Sequence, residues 1–257
     1  MTLNMICLGL NPSALSLWGH RHRKGGDPRY LVHAATRKVF GQFGPQPFCI
    51  QAESNRILGY CETTDTVLRE KLDMCKDIDP LLSTVFRLPE ICTRTMPSTW
   101  HNGSRYRFMV QCRPTTRFHW RSEKPSQDRP YIESDAWLYK MFNDWSRTDK
   151  RLSLREYRLQ HRAEMESVYT EWLRDHLMPA ATVENVTIVG SRNTTLTSRG
   201  GKKHEEAPKQ SRTRKWPETT FSGTLTVQDP ALFDKLIRQG VGRHAAFGFG
   251  MLLLQKC

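Results

Sequence analysis

Apolar residues recur at two periods along this chain, every second position in short runs and every third or fourth in longer ones, so strands and helices can be placed in order. Leu3 to Leu10 reads as a strand, followed by a basic, glycine-bearing loop from Trp18 to Gly26. A helix is expected to start at Asp27, a side chain suited to an N-cap, with Pro28 at the first helical position, where its missing N–H leaves no bond unmade. It should end near Phe40, because Gly41 follows. Strands are expected over Phe48 to Ala52 and Arg56 to Cys61, a helix over Asp65 to Cys75, and a strand around Ser83 to Leu88.

The order β-α-β-β-α-β is that of a ferredoxin-like, or RRM-like, unit, here occupying residues 1–97. The same grammar returns over residues 98–257, with strands at Arg105 to Arg113, Thr220 to Val227 and Met251 to Leu254 and a helix at Pro230 to Gln239. The fold class expected is therefore α+β, two tandem ferredoxin-like domains with a helical insertion in the second. That insertion, about residues 126–179, reads as a projecting helical finger. Trp137, Leu138, Met141 and Trp145 fall at helical spacing, and Ser153 with Glu156 forms a capping box for a long following helix that stops at Pro179. Its aromatic residues Trp137, Trp145, Tyr169 and Trp172 are expected to seal the finger's own core. From Arg192 to Lys215 eight Lys or Arg face two Glu around Gly200, Gly201 and Pro208, and this stretch reads as a flexible basic loop.

Charge narrows the function. Lys and Arg number 39 against 26 Asp and Glu, a formal net charge of +13, which makes a polyanion the default partner. A membrane surface is a poor candidate, since no apolar run reaches the roughly 18 residues of a spanning helix. Nucleic acid is favoured. The seven cysteines are scattered and never closely paired, which fits neither a zinc ribbon nor a disulfide framework and points to a reducing cytoplasm. His20 and His22 lack an acidic or cysteine cluster to complete a metal site, and no cofactor is expected.

The run GVGRHAAFGFGMLLL places Gly240, Gly242, Gly248 and Gly250, with Arg243 and Phe247, between an amphipathic helix and a terminal strand. With the preceding FSGTLTVQDPALFDKLIRQ, it resembles the glycine-rich signature of CRISPR repeat endoribonucleases, in particular the CasE-like branch of class 1 systems. Tyr30 and His33 sit on the first helix, where that family carries a Tyr and a His at this spacing. The resemblance follows both halves in element order, and its sharp motifs cover about residues 27–41 and 221–254. It implies an endonuclease that cuts CRISPR precursor RNA within the repeat, retains the stem-loop of the mature crRNA, and joins other CRISPR effector subunits. The helical insertion and long basic stretch exceed what a compact CasE-like enzyme needs and resemble the nucleases of type IV systems, which implies that arginines share or replace the work of the histidine.

Cutting RNA without a metal needs a base for the 2′-hydroxyl proton, an acid for the leaving 5′-oxygen, and cations around the phosphorane. At about 100° per residue, Val32, Ala35 and Val39 share one side of the first helix and Tyr30, His33 and Arg37 the opposite side. Arg23 and Arg243 are further candidate catalytic cations. For RNA binding the candidates are Arg21 and Lys24 before the helix, Lys38 on it, and Lys202, Lys203, Arg212, Arg214 and Lys215 in the basic stretch. Gly240, Gly242, Gly248 and Gly250 are candidates to bring backbone N–H groups to a phosphate, or serve as a tight turn into the last strand. A non-catalytic protein that caps the repeat hairpin would present the same basic surface. An unrelated tandem-RRM protein is disfavoured by the lack of an aromatic-rich base-stacking strand.

Overall fold

The computed structural model describes residues 2–24, 27–118, 132–148, 151–199 and 211–257, except the side chains of 195–199 and 211–215. Strand β1 (Asn4–Leu10) leads into helix α1 (Pro12–Arg21) through Asn11, whose side chain accepts from the Ala14 N–H at 3.2 Å. This helix replaces the first part of the expected loop. Asn11-Pro12 carries the same N-cap and Pro pattern as Asp27-Pro28, and burial of Leu15 and Trp18 holds the helix in place. Helix α2 (Pro28–Phe40) forms as expected: the Asp27 carboxylate accepts from the Arg29 and Tyr30 N–H groups, and Gly41 closes the helix.

Strands β2 (Phe48–Gln51) and β3 (Arg56–Cys61), helices α3 (Asp65–Ile78) and α4 (Pro80–Ser83) and strand β4 (Phe86–Thr95) complete the first unit. Its antiparallel sheet runs β2-β3-β1-β4, the ferredoxin-like order. The expected strand start at Ser83 is corrected, since Ser83 belongs to α4, which Asp79 caps. Pro89 is accommodated because β4 is an edge strand and its pairing to β1 shifts register between Cys7 and Gly9, opposite this residue.

The second unit begins with β5 (Arg105–Cys112), then adds the ribbon β6 (Thr115–Phe118) and β7 (Ile132–Asp135) and helices α5 (Ala136–Ser146), α6 (Leu154–Gln160) and α7 (Met165–Leu177). Long strands β8 (Ala181–Arg199) and β9 (Ser211–Val227), helix α8 (Pro230–Gln239) and strand β10 (Leu253–Lys256) follow. Their sheet order, β10-β5-β9-β8, repeats that of the first unit.

Two expectations are overturned here. The Ser153–Glu156 capping box exists, but it opens the short α6 rather than one long helix, and α7 is the first crossover helix of the second unit. Tyr169, Trp172, Leu173 and Leu177 are buried with Phe221, Leu225 and Phe233 in that unit's core, so they do not seal a separate finger. The stretch 192–199 with 211–215 is paired strand, from Arg192 opposite Glu218 to Arg199 opposite Ser211, rather than loop. Its threonines favour extended backbone, and cross-strand pairing fixes what charge alone would leave open. The units also share a core, because Leu3 and Tyr60 pack into the second cluster and the Tyr60 hydroxyl donates to the Leu252 carbonyl at 2.7 Å.

Candidate active site

Helix α2 turns Val32, Ala35 and Val39 into the first core, leaves Tyr30 and His33 half-buried and exposes Arg37. His33 meets the glycine-rich segment, where a short turn at Ala245–Phe247 precedes Gly248. Its imidazole lies 5.0 Å from the Phe247 ring, centroid to centroid, and is hydrogen-bonded to the Ala246 backbone. Burial, with the positive charge of Arg37, holds its pKa below the ordinary histidine value, and the Ala246 bond only partly opposes this. The structure thus brings together His33, Arg37 and the turn after Gly242. Tyr30 is on the same helix but packs partly against the first core.

The glycines have protein neighbours that explain them. A Cβ on Gly248, at φ 82°, would lie 2.9 Å from Arg29 Nη1, and one on Gly242, at φ 71°, 2.7 Å from the Trp172 ring. The N–H groups of Gly240, Gly248 and Gly250 already donate to Leu236, Ala245 and Gln111 carbonyls, at 2.7, 3.3 and 2.7 Å. For these three the expectation of phosphate-facing amides is corrected: the segment is a close-packed turn, and these amides already have carbonyl partners within the protein.

Other expected cations are also committed elsewhere. Arg243 pairs with Glu133 of β7, Nε to Oε1 at 3.2 Å, and His244 Nε2 reaches the same oxygen at 2.9 Å. Burial raises the Glu133 carboxyl, but the His244 hydrogen bond and charge, with Thr115 and Arg117, outweigh it and hold the group in its anionic form. Arg243 is therefore no free catalytic cation. Lys38 pairs with Asp79 at 2.7 Å, next to the Trp18 indole N–H. Lys24 lies over the Trp18 ring at 5.2 Å. Arg21 and Arg23 are exposed at the end of α1, Arg23 with φ 49°, and Arg37 donates to the Gly41 carbonyl at 3.2 Å. Lys202 and Lys203 lie outside the described residues, as do the side chains of Arg212, Arg214 and Lys215, whose backbone lies on β9.

Sequence reasoning missed two features. The first is a buried charge network. Arg29, 8% exposed, donates from Nη2 to Glu218 Oε1 at 2.8 Å and Gln111 Oε1 at 2.7 Å, and Glu218 Oε1 also takes Arg192 Nη2 at 2.7 Å. Arg113, 1% exposed, stacks on Phe249 at 4.5 Å, and burial followed by repulsion from Arg29 pushes its pKa down to about 10. The second is a cleft of ≈ 880 Å³ between α5, α6, α7 and the β8–β9 ribbon, lined by Arg155, Arg158, Arg162 and Arg192 with Trp137. Arg155 and Arg158, three residues apart on α6, share a face that the sequence could show; that Arg162 from the turn after α6 and Arg192 from the ribbon join them was not visible there. Among the described residues no three His, Cys, Asp or Glu groups gather as a metal ligand set, and no helix is long and apolar enough to cross a membrane.

Two ferredoxin-like units with a common core, and a glycine-rich turn seated on the first long helix, define a tandem ferredoxin-like α+β protein. The chain belongs to the CRISPR associated protein family, whose model matches residues 10–256. Its fold is similar to that of Thermus thermophilus Cse3 bound to an RNA representing a pre-cleavage complex, at 16% identity and TM-score 0.55 over 99% of this chain and 100% of that one. It is similar too to the CRISPR-associated protein Cas6e from Escherichia coli str. K-12, at 15% identity and TM-score 0.52 over the whole of both chains. A further structure, CRISPR endoribonuclease Cse3 bound to 19 nt RNA, aligns with TM-score 0.57 at 16% identity over 99% of this chain and 98% of that one. No curated protein sequence matches the chain.

Proposed function

We propose that this chain is a metal-independent endoribonuclease that cuts CRISPR precursor RNA within the repeat and stays bound to the mature crRNA as a subunit of a class 1 effector complex in the cytoplasm. The observation that carries the reading is His33: a half-buried imidazole held below its ordinary pKa, with Arg37 close enough to be felt, in a protein of the CRISPR associated family. Largely neutral at pH 7, such an imidazole can accept the 2′-hydroxyl proton as the 2′-oxygen–phosphorus bond forms and the phosphorus–5′-oxygen bond breaks. The leaving 5′-oxygen takes its proton from Tyr30, one helical turn back on the same side. Arg37 stabilises the charge that builds on the phosphorane. Similar folds that are themselves described as endoribonucleases bound to RNA support the assignment. The scatter of the seven cysteines along the sequence, never closely paired, supports a reducing compartment.

A second reading, a non-catalytic cap on the repeat hairpin, draws on the pairing of Arg243 with Glu133 and of Lys38 with Asp79, which leaves fewer cations for chemistry. Incubation of purified protein with repeat RNA from its own array in excess EDTA separates the two. Cleavage is expected, with a cyclic or 3′-phosphate upstream and a 5′-hydroxyl downstream. Intact RNA that is nevertheless bound establishes the cap instead.

A further inference from the structure

We propose that Arg29 is a positioning residue that places His33 for reaction by fastening the glycine-rich turn to helix α2. The inference rests on the cleavage reading for its catalytic meaning but not for its geometry. Arg29 and His33 lie one helical turn apart and hold consecutive pieces of the same segment. His33 takes Ala246 and the Phe247 ring, while Arg29 Nη1 donates to the Gly248 carbonyl at 3.0 Å and reaches the Phe247 carbonyl at 3.5 Å. The guanidinium lies 4.3 Å from the Phe249 ring. Gly248 sits at φ 82°, where an L side chain is strained, and a Cβ there would also lie 2.9 Å from this guanidinium and 3.0 Å from the Phe48 ring.

The other edge of the guanidinium is tied equally firmly. Nη2 meets Glu218 and Gln111, and Gln111 Nε2 itself donates to Glu218 Oε1 at 2.6 Å, so acceptors from β5 and β9 fix both its charge and its plane. Glu218 Oε1 is shared with Arg192, whose side chain is 65% exposed against 1% for Glu218. One buried fork therefore joins the histidine-bearing helix of the first unit, the turn that contacts the histidine, and the sheet of the second unit. An ammonium cannot do this, because a single nitrogen at the end of a flexible stem cannot span two carbonyls on one side and two side-chain acceptors on the other.

Arg29→Lys keeps the charge opposite Glu218 and loses the fork. Expected are a loss on the order of 10²-fold in single-turnover cleavage of the repeat RNA, since small misplacements of reacting groups carry penalties of that size, with RNA affinity unchanged. His33 should then titrate closer to the ordinary value when followed by NMR in the full chain without RNA, because the turn no longer buries it. Gln111→Met, which leaves the Arg29–Glu218 pair in place, should move both readouts less and in the same direction. Arg105→Ala, which removes a surface pair with Glu184, should move neither. An unmoved His33 titration in both Arg29→Lys and Gln111→Met overturns the proposal whether or not RNA is cut. A shifted titration in a protein that does not cut RNA upholds the positioning and refutes the cleavage reading alone.

Discussion

His33 rests against Phe247 with ring centroids 5.0 Å apart and planes tilted by 48°, joining a helix near the start of the chain to a turn near its end. This packing buries the imidazole and sets the sign of its pH response. Its folded pKa lies below the ordinary 6.5, so the unfolded chain takes up the proton first as pH falls. The contribution of His33 to stability is thus complete above about pH 6.5 and is lost as pH falls through the lower, folded value. Melting curves of wild type and His33→Gln should diverge at neutral pH and converge in acid; the reverse pattern contradicts the assigned direction. The acid limb of the cleavage rate should likewise lie below pH 6.5.

Arg37 and Arg243 should separate in mutagenesis. Arg37 is exposed beside His33, whereas the charge of Arg243 is offset by Glu133. His33→Ala is expected to lower single-turnover cleavage by on the order of 10²–10⁴ with RNA affinity preserved. Arg37→Ala should cost more rate than Arg243→Ala. Equal losses at both arginines would show that Glu133 releases Arg243 when RNA binds.

Glu218 is the shared anion of Arg29 and Arg192, so Glu218→Gln leaves a buried guanidinium without its counter-charge. Breaking such a pair from one side costs about 3–5 kcal/mol. Denaturant titration should report a loss of that order. A change within experimental scatter would mean that water reaches Arg29 freely.

Tyr169 donates to Asp135 Oδ2 at 2.6 Å, and Asp135 also caps α5 by accepting from the Leu138 N–H at 2.7 Å. Tyr169→Phe leaves a buried carboxylate oxygen short of a partner, which costs about 1–3 kcal/mol. The loss should appear in global unfolding of the second unit, since α7 is part of its core. A separate low-stability transition would restore the picture of an independent helical finger.

How much of this was legible in the sequence depends on the span of each interaction. Asp27-Pro28 and Gly41 specify both ends of α2 within a few residues, and the helix forms as they indicate. Asn11-Pro12 carries the same local signal for α1, but the run of basic residues after Trp18 obscured it. The β8–β9 ribbon was hidden by its charge, because extended structure there depends on pairing across strands such as Arg192 with Glu218. His33 could be singled out from helical spacing and from the family resemblance. Arg29, its neighbour at i−4, could not, because its partners Gln111, Glu218 and Gly248 lie 82, 189 and 219 residues away.

The ribbon supplies a prediction about affinity. Replacing residues 196–214 with a short turn removes Lys202, Lys203, Arg212 and Arg214 while leaving the register nearest Glu218 intact. RNA affinity should fall, and the dependence of log affinity on log salt should flatten by roughly 0.7 to 0.9 for each phosphate that the ribbon no longer neutralises. An unchanged salt slope would assign the charge of this segment to something other than RNA.

Strand scission by the 2′-hydroxyl of the RNA is tested most directly by one chemical change in the substrate. Repeat RNA carrying a single 2′-deoxyribose immediately before the cut should bind with unchanged affinity and remain whole, because the nucleophile is gone while the phosphates and bases that the protein holds are all still present. Cleavage of that deoxy substrate at the wild-type rate would contradict the 2′-hydroxyl mechanism.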